Sequence, residues 1–254
     1  VPDVAVQAAQ RALAGANGYP PSAGTAPLRE AAAGWIARRF GVELAPGGIG
    51  ACVGTKEFVA SLPHLLHLRD PARDTVLYPA VAYPTYEMGA TLAGVRAVPV
   101  PVDADWHLDL DAIEPTDAAR SLLLWVNEPG NPAGQTADAH RFARYAEWGR
   151  RHGAVVASDE CYVEFAPEPA TILSSGTEGV LAVHSVSKRS NLAGMRVGFY
   201  AGDADLVEFL VESRKHAGLM APSPVQAAAA AALADDGHVA VQRDRYRKIG
   251  RAHV

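Results

Sequence analysis

The stretch HSVSKRSNLAGMRVGF (184–199) sets one lysine, Lys188, among serines and two arginines at the end of an apolar run. An amine leaving a buried strand is partly stripped of water, which favours the neutral, nucleophilic form that a Schiff base with a carbonyl compound requires. A lysine met without context is most often a surface residue opening a loop. Here Ser185 and Ser187 alternate with it and Arg196 follows, so hydroxyl donors and a planar cation suited to phosphate accompany the amine.

A carboxylate stands upstream. Asp159 closes the apolar run GAVVA in front of ECYVEF, and a charge there survives burial only beside a cation or hydrogen-bond donors. A protonated pyridine nitrogen is one such partner, because an aspartate keeps the ring cationic and able to take up a carbanion's electrons. A helix N-cap or an ordinary salt bridge is the alternative. The loop NEPGNPAGQ (127–135) is rich in turn formers and can hold Asn131 with its amide toward a crevice. GTKE (54–57) follows the strand-like GIGACV and opens a helical stretch, so the N–H groups of Gly54, Thr55 and Lys56 are placed to bind an anion. AYPTYE (82–87) offers Tyr83 and Tyr86, either of which can stack on a flat ring or serve in plain packing.

These residues need a frame. LREAAAGWIARRFG (28–41) puts Leu28, Ala32, Trp35, Ile36 and Phe40 on one helical face with Gly41 as a stop. DTVLYP, SLLLWVN, GAVVASDE, VLAVHSVS and RVGFYAG are short continuous apolar runs, as expected of strands covered on both faces. Helical stretches such as DAHRFARYAEWGRRHG (138–153) lie between several of them, which predicts an α/β chain with a mostly parallel sheet. Ligands of such sheets bind beyond the carboxyl ends of the strands, where the residues above collect. After Gly202 the pattern is helical, and the closing GRAHV fits no element.

With 254 residues, 49% apolar and 20% charged, the chain can bury a core without disulfide or metal. A net charge of −5 and a pI near 6.0 argue against a nucleic-acid partner and leave a small molecule. Cys52 and Cys161 make neither a metal-site spacing nor a disulfide framework, so both are expected reduced and buried. The alanine-rich stretch 227–234 is far short of the ~20 residues that cross a bilayer. No signal pattern opens the chain, and a cytoplasmic location without a membrane partner is expected.

In this order, SVSKRSNLAGMRVGF, NEPGNPAG and DECY resemble the pyridoxal-phosphate-dependent aminotransferases of fold type I, class I/II, and the resemblance covers nearly all of residues 17–202. It implies a three-layer α/β/α large domain with a mostly parallel central sheet. Lys188 would bond the cofactor as a Schiff base and then shuttle a proton, and Asp159 would pair with the pyridinium nitrogen. Tyr162 and Asn131 would hydrogen-bond the phenolic oxygen, and Tyr83 would stack on the ring. Ser185, Ser187 and Arg196 would bind the phosphate with the Gly54-Thr55-Lys56 backbone. In GYPPSAGTAPLR, Tyr19 matches the tyrosine that reaches the phosphate of a neighbouring subunit, which implies a homodimer.

The implied partners are an amino acid, glutamate as donor, and a keto acid. YPPSAGTAPLREA, CVGTKEFVASLPHLL and YPAVAYPTYEMGA look most like the actinobacterial N-succinyldiaminopimelate aminotransferases of lysine biosynthesis. No segment matches the small C-terminal domain and its substrate-carboxylate arginine, so that domain is expected to be missing or truncated. The expected division is an arm (1–27), a cofactor domain (28–215) and a helical segment (216–254). A non-catalytic cofactor-binding or scaffold protein and a C–S β-lyase are the alternative functions, and no helix-turn-helix pattern supports a DNA-binding regulator.

Overall fold

The computed structural model describes residues 1–15 and 18–251. Helices α1 (Asp3–Leu13) and α2 (Ala26–Phe40) lead to β1 (Ile49–Cys52), α3 (Thr55–Arg69), β2 (Thr75–Pro79), α4 (Thr85–Leu92) and β3 (Arg96–Val100). There follow α5 (Pro115–Arg120), β4 (Ser121–Asn127), α6 (Ala139–His152), β5 (Val155–Asp159), β6 (Val180–Ser185), the single turn α7 (Val186–Arg189) and β7 (Gly198–Gly202). Helices α8 (Ala204–His216), α9 (Ser223–Ala234) and α10 (Gly237–Arg251) complete the described chain.

The seven strands form one sheet in the order β1-β7-β6-β5-β4-β2-β3. Every pairing is parallel except those of β7, which runs against both β1 and β6. Successive side chains of a strand point to opposite faces, and the core divides accordingly. Leu124 and Val126 of β4 and Val180 and Ala182 of β6 pack with α2, α6 and α9, whereas Leu123, Trp125, Leu181 and Val183 pack with α3, α4 and α8. Both faces are apolar because both are covered, giving the three-layer α/β/α arrangement expected from the sequence.

Local signals hold at the boundaries. Gly41 ends α2 in the left-handed region at φ 70°, and Asp138 caps α6 by accepting the Arg141 N–H at 2.8 Å. Strand β3, which the sequence did not announce, lies at the sheet's edge with its residues largely half-buried or exposed and Pro99 within it. At the chain's end, Gly250 and Arg251 continue α10 instead of standing outside any element, while Ala252–Val254 lie outside the described residues. Helix α9 joins the core of α1 and α2 through Ala228, Ala229, Ala232 and Leu233. Among the described residues no helix is long and apolar enough to cross a membrane.

Candidate active site

Pairing of β4 with β5 sets Asn127 beside Asp159 at the carboxyl edge, and β6 ends next to them at Ser185. These ends open onto a cavity of about 430 Å³. Asp159, Tyr162, Asn131, Tyr83, Lys188, Ser185, Ser187, Arg196, Thr55 and Lys56 all line it. Two residues expected at the site stand outside its walls. Gly54 is the residue before α3, and Tyr19 is 98% exposed in the loop before α2.

Asp159 is buried, and its carboxylate accepts the Tyr86 hydroxyl at 2.9 Å and the Cys161 N–H at 3.2 Å. Burial pushes this carboxyl above the usual aspartate range, and the hydrogen bonds from Cys161 and Tyr86 offset only part of that rise. Among the described residues no cationic side chain is one of the groups that hold it. Tyr86 also lines the cavity, and its hydroxyl supports the acid. Its own hydroxyl is held far above the ordinary tyrosine range by burial and the adjoining carboxylate, so it stays a donor. Asn127 ties the loop to the strand edge: its amide donates to Asp159 O at 2.9 Å, and its Oδ1 accepts the Asn131 N–H at 2.8 Å.

Lys188 departs from expectation in one respect. Strand β6 stops at Ser185, and the turn of α7 carries the lysine past the sheet edge, so its side chain is exposed and not desolvated by the strand. Its Nζ lies 5.6 Å from the centre of the Tyr162 ring. Cys161, expected buried, is half-buried because it lines the cavity; its thiol reaches Thr55 Oγ1 at 3.4 Å, while Cys52 is buried as expected.

The cradle for an anion is built from three elements. Gly54 (φ 78°) precedes α3 without a side chain to cap it, which leaves first-turn N–H groups for another acceptor. A Cβ at Gly54 would run into the Arg196 guanidinium, so glycine is what lets that cation lie against the turn. Arg196 itself sits at φ 51° and is steadied by donating to Ala193 O at 2.8 Å. Ser185 Oγ accepts the Ser187 N–H at 3.0 Å, which keeps its own O–H free to donate. Among the described residues no cluster of three or more His, Cys, Asp and Glu is arranged to hold a metal.

An amine, a buried acid in want of a cation and an oxyanion cradle on one cavity define a site for a flat, cationic, phosphorylated ring, and pyridoxal phosphate fits that donor set. A family model described as aminotransferase class I and II matches residues 1–253, and the chain belongs to that family, whose members depend on pyridoxal phosphate. The chain is 46% identical to the 4-dedimethylamino-4-oxo-anhydrotetracycline transaminase OxyQ of Streptomyces rimosus, over 96% of this chain and 67% of that protein. It is 38% identical to an LL-diaminopimelate aminotransferase of Desulforudis audaxviator, over 91% of this chain and 61% of the relative. A probable N-succinyldiaminopimelate aminotransferase from Thermus thermophilus superposes with a TM-score of 0.88 at 29% identity, covering 97% of this chain and 68% of its own. The chain thus spans about half to two thirds of the lengths of the curated relatives it matches.

Proposed function

We propose that this chain is the cofactor-binding part of an enzyme that moves an amino group from an amino acid, with glutamate as donor, to a keto acid. The observation that supports it is the convergence of Lys188, Asp159 and Arg196 on one cavity. Bound pyridoxal phosphate supplies the electron sink for bond changes at a substrate Cα. The chain's own residues do the rest. Asp159 holds the charge on the ring nitrogen, Tyr162 and Asn131 donate to the phenolic oxygen, and Tyr83 covers a ring face. Ser185, Ser187, Arg196 and the Gly54-Thr55-Lys56 backbone hold the phosphate. Lys188 is the covalent anchor and, once released, carries a proton at the substrate Cα. Tyr19 reaches the phosphate of a partner subunit, which makes the working unit a homodimer, in the cytoplasm. The division into arm (1–27), cofactor domain (28–215) and helical segment (216–254) belongs to the same proposal.

The proposed acceptor is N-succinyl-2-amino-6-oxopimelate, in a succinyldiaminopimelate transamination. The diaminopimelate substrates named for the Desulforudis and Thermus proteins support it. The 46% identity to the Streptomyces transaminase favours a second reading, in which the acceptor is a ketone like the one in that protein's name.

Mixing the purified protein with pyridoxal phosphate is expected to produce a visible absorption band that Lys188→Ala lacks, and glutamate is expected to remove it. A band that no amino donor alters would sink transamination and leave cofactor binding alone; no band at all overturns both. Each candidate acceptor is then added to the glutamate-treated protein, and the one that restores the band fastest identifies the substrate.

A further inference from the structure

We infer that Arg214, acting through Glu57, positions the Val53–Lys56 turn and cancels a negative charge beneath it, so that the turn can hold the cofactor's phosphate. This rests on the cofactor reading above. Glu57 lies in the first turn of α3, where its Oε2 accepts the Val53 N–H at 3.2 Å and its Oε1 accepts the Ser61 hydroxyl at 2.9 Å. The same two oxygens take a guanidinium fork from Arg214, at 2.8 Å for Nη1 and 2.6 Å for Nη2. Arg214 comes from the last turn of α8, is 1% exposed, and does not line the cavity. The rings of Phe58 and Tyr200 hold the guanidinium, with centres 5.4 and 5.8 Å away, and they stack on each other at 4.3 Å.

A carboxylate in a first turn suits the helix dipole, yet the same charge opposes an anion bound at that N-terminus. The bidentate fork removes the opposition and fixes the carboxylate's orientation, and with it the Val53 amide. Buried ion pairs are commonly replaceable by apolar groups without loss of stability. Arg214 Nη1 also donates to Ser61 Oγ at 3.2 Å, and the position of the pair against the anion turn gives the buried charge a use beyond stability. Glu57 and Arg214 are positioning residues, since neither is placed at the reacting atoms.

Pyridoxal, which lacks the phosphate, separates positioning from general damage. Affinities for pyridoxal phosphate and pyridoxal are to be measured by spectroscopic titration of the wild type, Arg214→Met, Arg214→Lys and the double variant Arg214→Met/Glu57→Gln. Arg214→Met is expected to lose about tenfold for pyridoxal phosphate while its affinity for pyridoxal stays within about twofold. The double variant, with no charge left unpaired, is expected to recover part of the loss, and Arg214→Lys to fall between wild type and Arg214→Met. Should Arg214→Met fail to fold by circular dichroism, the lysine and double variants decide by the same ratio. Equal losses for both ligands, or an unchanged preference for the phosphorylated one, overturn the inference alone. A wild type with no such preference overturns the cofactor reading as well.

Discussion

Behind Asp159, on the other face of the sheet, Glu160 and His184 are buried with Oε2 and Nε2 3.4 Å apart. Burial pushes Glu160 up to about 8 and His184 down to about 3. The folded protein keeps the Glu160 proton that the unfolded chain gives up near 4.5, so this stabilisation is full below 4.5 and is lost as pH rises through about 8. His184 refuses a proton that the unfolded chain takes below 6.5, so its contribution is full above 6.5 and is lost as pH falls toward about 3. The two slopes oppose each other between 4.5 and 6.5, which leaves a net loss from 6.5 to 8. Urea midpoints of the wild type should therefore fall over that window, and Glu160→Gln should flatten the fall; an identical slope in both proteins would rule the glutamate out. Asp159 and Glu128, raised in the same direction by burial, are present in both proteins, so the comparison reads residue 160 together with its coupling to the neighbouring Asp159. The motif residues of the cavity were legible in the sequence because they lie at or just beyond the end of a recognisable apolar run or, like Arg196, open one. The partners that support them were not. Tyr86 and Asp159 are 73 residues apart and Arg214 and Glu57 are 157 apart, and spacing along a chain carries no sign of such meetings.

Strands and helices were legible in proportion to how fully they are covered. Strands β4 to β6 are buried along nearly their whole length and read as unbroken apolar runs, while β3 escaped notice because an edge strand needs no such run. The direction of β7 was equally hidden, since a five-residue apolar strand reads the same either way. Close packing of elements gives a test with an unusual sign. Gly149 lies inside α6, where replacement by alanine ordinarily gains up to about 1 kcal/mol of helix propensity. A Cβ there would run into Val156 of β5 and come within 2.9 Å of Ala154 O. Overpacking costs about 1–3 kcal/mol, so Gly149→Ala should destabilise, lowering the thermal midpoint by roughly 2–4 °C per kcal/mol in a chain of this size. A raised midpoint would show that α6 can lift off the sheet at no cost.

At the scale of the whole molecule, Tyr19 stands 98% exposed in the loop before α2. If it serves a neighbour's phosphate, Tyr19→Phe should weaken pyridoxal phosphate binding severalfold at concentrations where sedimentation shows a dimer, and leave pyridoxal binding alone. A protein that sediments as a monomer with full cofactor affinity would remove that role. The position of β1 carries a different consequence. Among the described residues it joins the sheet through β7 alone, whose residues come some 150 positions later, from Gly198 to Gly202. During synthesis, then, Ile49–Cys52 emerges from the ribosome long before the strand that will receive it. The turn proposed to hold the phosphate is therefore translated well ahead of the strand that secures its own, and until β7 arrives the apolar Ile49–Cys52 lacks its place in the sheet.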